Sequence, residues 1–325
     1  MLLNNLCIAR APLRIGYVGG GSDLPGGEGA TVSVAIDKFV YCVAKRRYDK
    51  KIYVTWTNKE IVDSVDEIQH DIIRECLKIC GVESGIEILT FSDIPGVGSG
   101  LGSSAATTVA VLCALYRLTG EEKSQHEIAE TAASVEMDIL GRSCGPQDPY
   151  ISTFGGVRLF LYSPNGRVGV RRIDLTPHEK ERLETSFYLF GPHTPKGETT
   201  FTGRNSDDIL SKFSGGPSFR KKCIELCNEF VSRVNGHLWL SLGETVEKHN
   251  QLKRNYFPGY ESKDLEEVGK EVKQFKLCGA GGTGFLLVPS FAYKRRIKEI
   301  ENLWGPLFPY KIFNGYAEPI YTSKE

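Results

Sequence analysis

The stretch PGVGSGLGSSAATT, residues 95–108, sets tighter limits on this chain than any other part of it. Glycine occupies positions 96, 98, 100 and 102, and the run then turns apolar. A strand-forming segment, GIEILTFSDIP, leads in, and a helix is predicted over residues 104–118 with Gly120 as its C-cap. Strand, glycine loop and helix together make an anion site. Glycine lets the backbone come close, and the helix start presents N–H groups and the positive end of its dipole. Two familiar phosphate loops do not fit. A Walker A loop needs GxxxxGK[ST], and no lysine is present. The dinucleotide fingerprint GxGxxG fails because the glycine after Gly98 and Gly100 falls one residue too early.

With 325 residues, 41% hydrophobic and 25% charged, the chain has ample material for one large domain or two ordinary ones. Forty basic residues balance forty acidic ones, which argues against a dedicated nucleic-acid binder. Nine cysteines without a CxxC pair fit reduced thiols, and the i,i+4 pairs Cys76/Cys80 and Cys223/Cys227 read as core residues. The N-terminus lacks the basic and long apolar regions of a signal peptide, and VAVLCALY at 109–116 is too short to span a bilayer. A cytoplasmic protein without a membrane partner is expected.

Along the chain, LCIARAPLRIGYVGG, ATVSVAIDKFVYCVAKRR and KKIYVTWT read as strands, and residues 64–80 as a helix. A second helix is predicted over 124–141, followed by the strand GGVRLFLY. Beyond a boundary near 175–185, SFYLFGPH opens a helix-rich second half with helices at 206–214, 217–234, 239–252 and 262–273. The strand-loop-strand FKLCGAGGTGFLLV and a helix at 291–304 close it. The result is an α+β chain in two halves, 1–180 and 181–325.

Three motifs in fixed order carry a resemblance. Pro95 to Ala105 matches P-x-x-G-x-G-L-G-S-S-A, the phosphate-binding signature of the GHMP kinases. APLRIGYVGGGSDLP resembles that family's N-terminal motif, with Ala11, Pro12, Arg14, Gly19 and Asp23 in register. KLCGAGGTGFLL at 276–287 resembles its C-terminal glycine turn. The last segment also contains GxGxxG, but an apolar strand follows rather than a helix, so no dinucleotide-binding unit can be built on it.

The resemblance implies a two-domain fold, with an N-terminal domain like domain 2 of ribosomal protein S5, a ferredoxin-like C-terminal domain and a site in the cleft between them. It implies ATP and Mg²⁺ as cofactors. Pro95, Gly96, Val97, Gly98, Ser99, Gly100, Leu101, Gly102, Ser103 and Ser104 would cradle the ATP phosphates, and Ser104 and Glu136 would ligate the metal. Asp138, two residues from Glu136, competes for that role but lies on another helix face. Asp148, in CGPQDPYIST, takes the place of the catalytic aspartate that removes the acceptor hydroxyl proton. Arg14 would stabilise charge on Asp148 and on the moving phosphoryl group.

Gly20, Gly21, Ser22 and Asp23, with Gly281 and Gly282, are the expected substrate-binding residues. Where galactokinases carry Gly-Glu-His-x-Asp, this chain has Gly19-Gly20-Gly21-Ser22-Asp23, which opens space beside the retained aspartate. GGGSDLP resembles the D-glycero-D-manno-heptose 7-phosphate kinases and the kinase domain of L-fucokinases. The implied partner is a small-molecule sugar or sugar phosphate, phosphorylated at its anomeric hydroxyl. L-fucose or another free sugar is the alternative acceptor, and a non-catalytic ATP- or sugar-binding protein is the alternative of another class. A phosphorylated sugar needs a second anion site, for which Arg142, Lys196, Arg204, Lys45 and Arg46 are candidates. Homodimer assembly is left open.

Overall fold

The computed structural model describes residues 4–94, 98–193, 212–260, 262–281 and 284–324. Two long strands organise it. β1 (Asn4–Val18) and β2 (Gly29–Arg46) pair antiparallel, and their apolar residues face the core. Their register slips between Pro12 and Arg14, where a proline without an N–H interrupts the ladder and re-aims the arginine that follows.

β2 is long enough to serve two neighbours. Its first part, Gly29 to Val34, pairs with β6 (Val157–Tyr162), and its last part, Val40 to Arg46, pairs with β5 (Ile86–Ser92). β3 (Ile52–Thr55) adds parallel to β5, and β4 (Lys59–Val62) and β7 (Val168–Arg172) add as hairpin partners of β3 and β6. The last strand, β11 (Glu318–Lys324), returns across the whole chain to the free edge of β1. Residues 318–324 therefore lie with the large sheet and not with the 181–325 segment in which the sequence grouped them, pairing along the edge of β1 that β2 leaves open.

α1 (Asp71–Ile79) and α2 (Ser103–Thr119) cover this sheet, followed in the chain by α3 (Gln125–Ser134) and α4 (Gln147–Phe154). α2 is apolar almost all round, as its position inside the fold requires, and ends on Gly120 at φ 81°. α1 starts later than the sequence suggests. A 3₁₀ turn occupies Val65–Glu67, and the His70 side chain caps the helix by accepting from the Ile73 N–H at 3.5 Å.

After α5 (Pro177–Thr185), a second sheet forms from β8 (Phe187–Phe190), β9 (Lys276–Leu277) and β10 (Leu286–Pro289), antiparallel in the order β8-β10-β9. α6 (Pro217–Asn235), α7 (Leu242–Tyr256), α8 (Lys263–Glu271) and α9 (Ile297–Trp304) accompany it. The helix expected at 206–214 falls mostly outside the described residues. Phe187, Leu189, Phe230 and Phe285 join the core of the large sheet, so the two halves share one interior. Among the described residues, no helix is long and apolar enough to cross a membrane.

Candidate active site

The glycine loop is held from two sides. Gly98, Gly100 and Gly102 adopt φ of 75–77°, the left-handed region that glycine favours. The Arg14 N–H donates to Leu101 O at 3.0 Å, and the Phe285 N–H to Ser99 O at 3.1 Å. The second glycine turn lies directly on the first. A Cβ on Gly100 would stand 2.3 Å from Cys278 O, and one on Gly279 would stand 2.6 Å from the Gly100 Cα. Gly102 is the N-cap of α2, which has no side-chain cap and no acidic residue in its first turn. An uncapped N-terminus reached by a tightly held loop is suited to an anion. Pro95, Gly96 and Val97 of this loop lie outside the described residues, as does Gly282 of the second turn.

Arg14 and Asp148 meet at the head of α2. Arg14 is 6% exposed and grips the Asp148 carboxylate with both edges of its fork, Nε to Oδ1 at 2.7 Å and Nη2 to Oδ2 at 2.5 Å. Its third nitrogen, Nη1, donates to Gly100 O. Burial works against the Arg14 charge, but Asp148 outweighs it and holds the guanidinium above its ordinary value. A Cβ on Gly102 would lie 3.5 Å from Asp148 Oδ2, which places this carboxylate beside the anion cradle. Asp148 sits in the first turn of α4, a helix the sequence did not suggest. Pro149 falls at its third position, where the missing N–H is no loss.

A second carboxylate lies on another side of the cradle. Glu136 is 5% exposed, accepts from the Thr108 hydroxyl at 3.0 Å and sits in a π-helical turn, Val135–Ile139, that continues α3. Asp138 in the same turn is exposed, so the turn separates the two candidates as their spacing suggested. Burial pushes the Glu136 carboxyl up to about 7, against the pull of Arg142 and the Thr108 hydroxyl.

Arg142 stands between the parts of this corner. Its Nη1 donates to Ser104 Oγ at 2.6 Å and lies 4.0 Å from Glu136 Oε2, and its Nη2 reaches both carboxylate oxygens of Asp71 at 3.0 and 2.8 Å. A positive charge therefore already occupies the space that Ser104 and Glu136 share, and these hard oxygen donors fit a magnesium ion. The sequence grouped Arg142 with candidates for a sugar phosphate, whereas the structure places it here. Of the others, Lys45 is exposed, Arg46 donates to Asn4 O and Leu118 O, and Lys196 and Arg204 lie outside the described residues.

The loop at 19–23, which leaves the end of β1, brings Asp23 near enough to the Arg14–Asp148 pair to act on both charges. Asp23 accepts from the Gly21 N–H at 2.8 Å, and burial, then the neighbouring Asp148 charge, raises its carboxyl. Gly145 lies against it, since a Cβ there would stand 2.3 Å from Asp23 Oδ2. Gly20 faces Gln147 and Gly21 faces Phe257. Ser22 is fully buried. Its hydroxyl has its one proton within reach of the carbonyls of Gly19 at 2.7 Å and Ala30 at 2.9 Å and accepts from the Ala30 N–H, so it braces the loop from within. Arg220, on α6, ties the same loop by donating to Ser22 O at 2.7 Å and Pro25 O at 2.9 Å. Gly281 packs on Tyr260. From Asp23 a cavity of about 360 Å³ runs past Pro146 and Tyr150 toward Glu130 and Asp138.

Sequence reasoning passed over one group entirely. His249 and Lys253 on α7 and Lys276 on β9 are all buried against this center. His249 Nε2 faces Gly20 O at 3.2 Å and must carry the proton. Only tertiary burial marks His249 and Lys253, and Lys276 opens the glycine-turn segment at 276–287 without a role having been read for it.

Comparison with known proteins gives a consistent set of relatives. The family description "GHMP kinases N terminal domain" matches residues 67–156. The chain is 28% identical over 200 residues to a D-glycero-alpha-D-manno-heptose 7-phosphate kinase of Campylobacter jejuni, an alignment spanning 56% of this chain and 58% of that relative. It is 44% identical over 226 residues to a mevalonate kinase of Methanothermobacter thermautotrophicus, spanning 67% and 68% of the two chains. A solved D-glycero-D-manno-heptose 1-phosphate kinase from Bacteriodes thetaiotaomicron shares the fold, with a TM-score of 0.77 and 20% identity over 97% of this chain and 99% of that one.

Proposed function

The chain belongs to the GHMP kinase family, and on that premise we propose that it transfers the γ-phosphoryl group of ATP to a hydroxyl of a small sugar. The acceptor we assign is the anomeric hydroxyl of a heptose 7-phosphate. The observation that carries this reading is the Asp148 carboxylate, fixed by a buried two-pronged arginine beside the uncapped N-terminus of α2. Phosphoryl transfer asks a protein for held phosphates, neutralised charge and an aimed nucleophile. The loop from Gly98 to Ser104 holds the donor. Asp148 takes the acceptor hydroxyl proton, and Arg14 fixes the orientation of that carboxylate while facing the phosphoryl group. Asp23, one loop away, binds acceptor hydroxyls. Glu136 and Ser104 would hold a magnesium ion, which when bound offsets the charge on the donor phosphates.

The heptose assignment is supported by the triple glycine beside Asp23 and by the likeness to a heptose 7-phosphate kinase. ADP release over an acceptor panel tests it, with wild type beside Asp148→Asn. The panel holds heptose 7-phosphate, free heptoses, L-fucose, galactose, mannose and, given the second relative, mevalonate. Turnover with the heptose phosphate that falls by roughly 10²–10⁴-fold in the variant is expected. Turnover with mevalonate alone would overturn the acceptor class, and an Asp148→Asn enzyme of full activity would overturn the mechanism.

A further inference from the structure

Charged side chains are almost never fully buried unless paired. Two lysines at the center of this site break that rule. Lys253 is 3% exposed and Lys276 4%, and among the described residues neither makes an ion pair with a carboxylate. Each has one backbone carbonyl: Lys253 Nζ donates to Gly279 O at 2.6 Å, and Lys276 Nζ lies 3.4 Å from Leu277 O. An ammonium carries three N–H groups, so these contacts leave donor capacity over. Asn250, on the same helix as Lys253, adds a buried Nδ2 without a partner among the described residues.

Position narrows the ligand. Gly279, which accepts from Lys253, lies on Gly100 of the donor loop. Phe257 and Tyr260, whose rings lie 5.2 and 4.8 Å from Lys253 Nζ, press against Gly21 of the acceptor loop and Gly281 of the second turn. The charges acting on this spot are Arg14, Asp23, Asp148 and the two lysines, with His249, Cys223 and Cys278 beside them. Arg14 and Asp148 neutralise each other, which leaves two ammonium groups facing one carboxylate. The surplus is positive, and it lies between donor and acceptor.

We propose that Lys253 and Lys276 form a second phosphate-oxygen site, apart from the cradle at the head of α2. The proposal rests on the kinase reading above. Its ligand is a phosphoryl group with free oxygens, either the phosphate monoester of the acceptor or the phosphoryl group in transit. Burial, then the charge of Lys276, pushes Lys253 down to about 7; burial, with Arg14 and against Cys278 and Asp148, lowers Lys276 to about 8. An anion arriving there reverses that effect, so binding takes up protons near neutral pH.

The test uses wild type and Lys253→Met, with the cradle filled by saturating ADP and magnesium. Inorganic phosphate is titrated calorimetrically at pH 7.5 in two buffers of different ionisation enthalpy. Wild type is expected to bind phosphate with net proton uptake. Lys253→Met is expected to weaken binding at least tenfold and lose most of the uptake, and Lys253→Arg to restore affinity. Methionine replaces a buried charge by an apolar chain of similar length between two rings, so the variant is expected to fold. Lys276→Met is the second variant should it not.

Steady-state kinetics then separate the two ligand sources. A KM raised tenfold or more for the phosphorylated acceptor, unchanged for its unphosphorylated counterpart, assigns the site to the acceptor phosphate. A kcat lowered tenfold or more with every acceptor assigns it to the phosphoryl group in transit. Equal phosphate affinity and equal proton uptake in wild type and variant overturn the proposal. Absence of turnover with any acceptor would defeat the kinase reading and leave the titration to decide on this site.

Discussion

Replacing Glu136 by glutamine tests the electrostatics of the site without assuming any substrate. Glu136 is 5% exposed, and its carboxyl is raised from 4.5 to about 7, chiefly by burial. At roughly 1.4 kcal/mol per tenfold, ionising it at pH 8 costs the fold about 3 kcal/mol more than in the unfolded chain. A raised carboxyl stabilises the fold fully below its unfolded value near 4.5, and that contribution is lost as pH rises through about 7. Glutamine keeps an oxygen for the Thr108 hydroxyl, 3.0 Å away, and removes the charge. Urea unfolding of wild type and Glu136→Gln between pH 5 and 8, without metal, should therefore show the variant gaining on wild type as pH rises, by up to about 3 kcal/mol. Adding magnesium at 100 times its dissociation constant should return about 2.7 kcal/mol to wild type at pH 8 and little to the variant. A stability difference that does not change with pH, or equal stabilisation of both proteins by magnesium, would refute the argument.

Two further outcomes follow from contacts in the structure. Arg14→Met and Asp148→Asn should each lower kcat by roughly 10²–10⁴-fold, with the double variant no worse than the worse single one, because a bidentate buried pair acts as one unit. Losses that multiply in the double variant would separate their roles. Gly145→Ala puts a Cβ 2.3 Å from Asp23 Oδ2. It should raise the acceptor KM at least tenfold and leave the ATP KM within about twofold, read from initial rates with each substrate varied in turn.

What could be read in the sequence followed from local signals. The apolar run closed by Gly120 gave α2, and β-branched alternation gave β1 and β2. β11 had no such signal, since its partner lies some 300 residues away and its place depends on the free edge of β1. The short strands β4 and β7 were missed because four or five residues carry too few alternations to read, although Val168 and Val170 of β7 pack on the core. α4 was hidden by Pro146 and Pro149, which read as turn residues but fall at the N-cap and first turn, where a helix tolerates them.

The site divides along the same line. Arg14, Asp148, Glu136, Ser104 and Asp23 could be named because each belongs to a motif, and the fold brings them around one helix N-terminus. Arg142 and Lys253 could not be placed. A basic residue in sequence is a solvated charge until tertiary structure removes the water. For Arg142 that structure supplies Asp71, 71 positions away, and Ser104. For Lys253 it supplies two rings and one carbonyl and, among the described residues, no carboxylate. The two cations thus arrive by the same route and differ in what the protein provides for them. The protein completes the pairing of the half-buried Arg142, whereas the buried Lys253 has no carboxylate among the described residues, and that difference is the ground for the phosphate site proposed above. Lys253→Met tests that difference: it loses one carbonyl contact, as an Arg142 variant loses its contacts to Ser104 and Asp71, and only the Lys253 variant is expected to lose phosphate affinity as well.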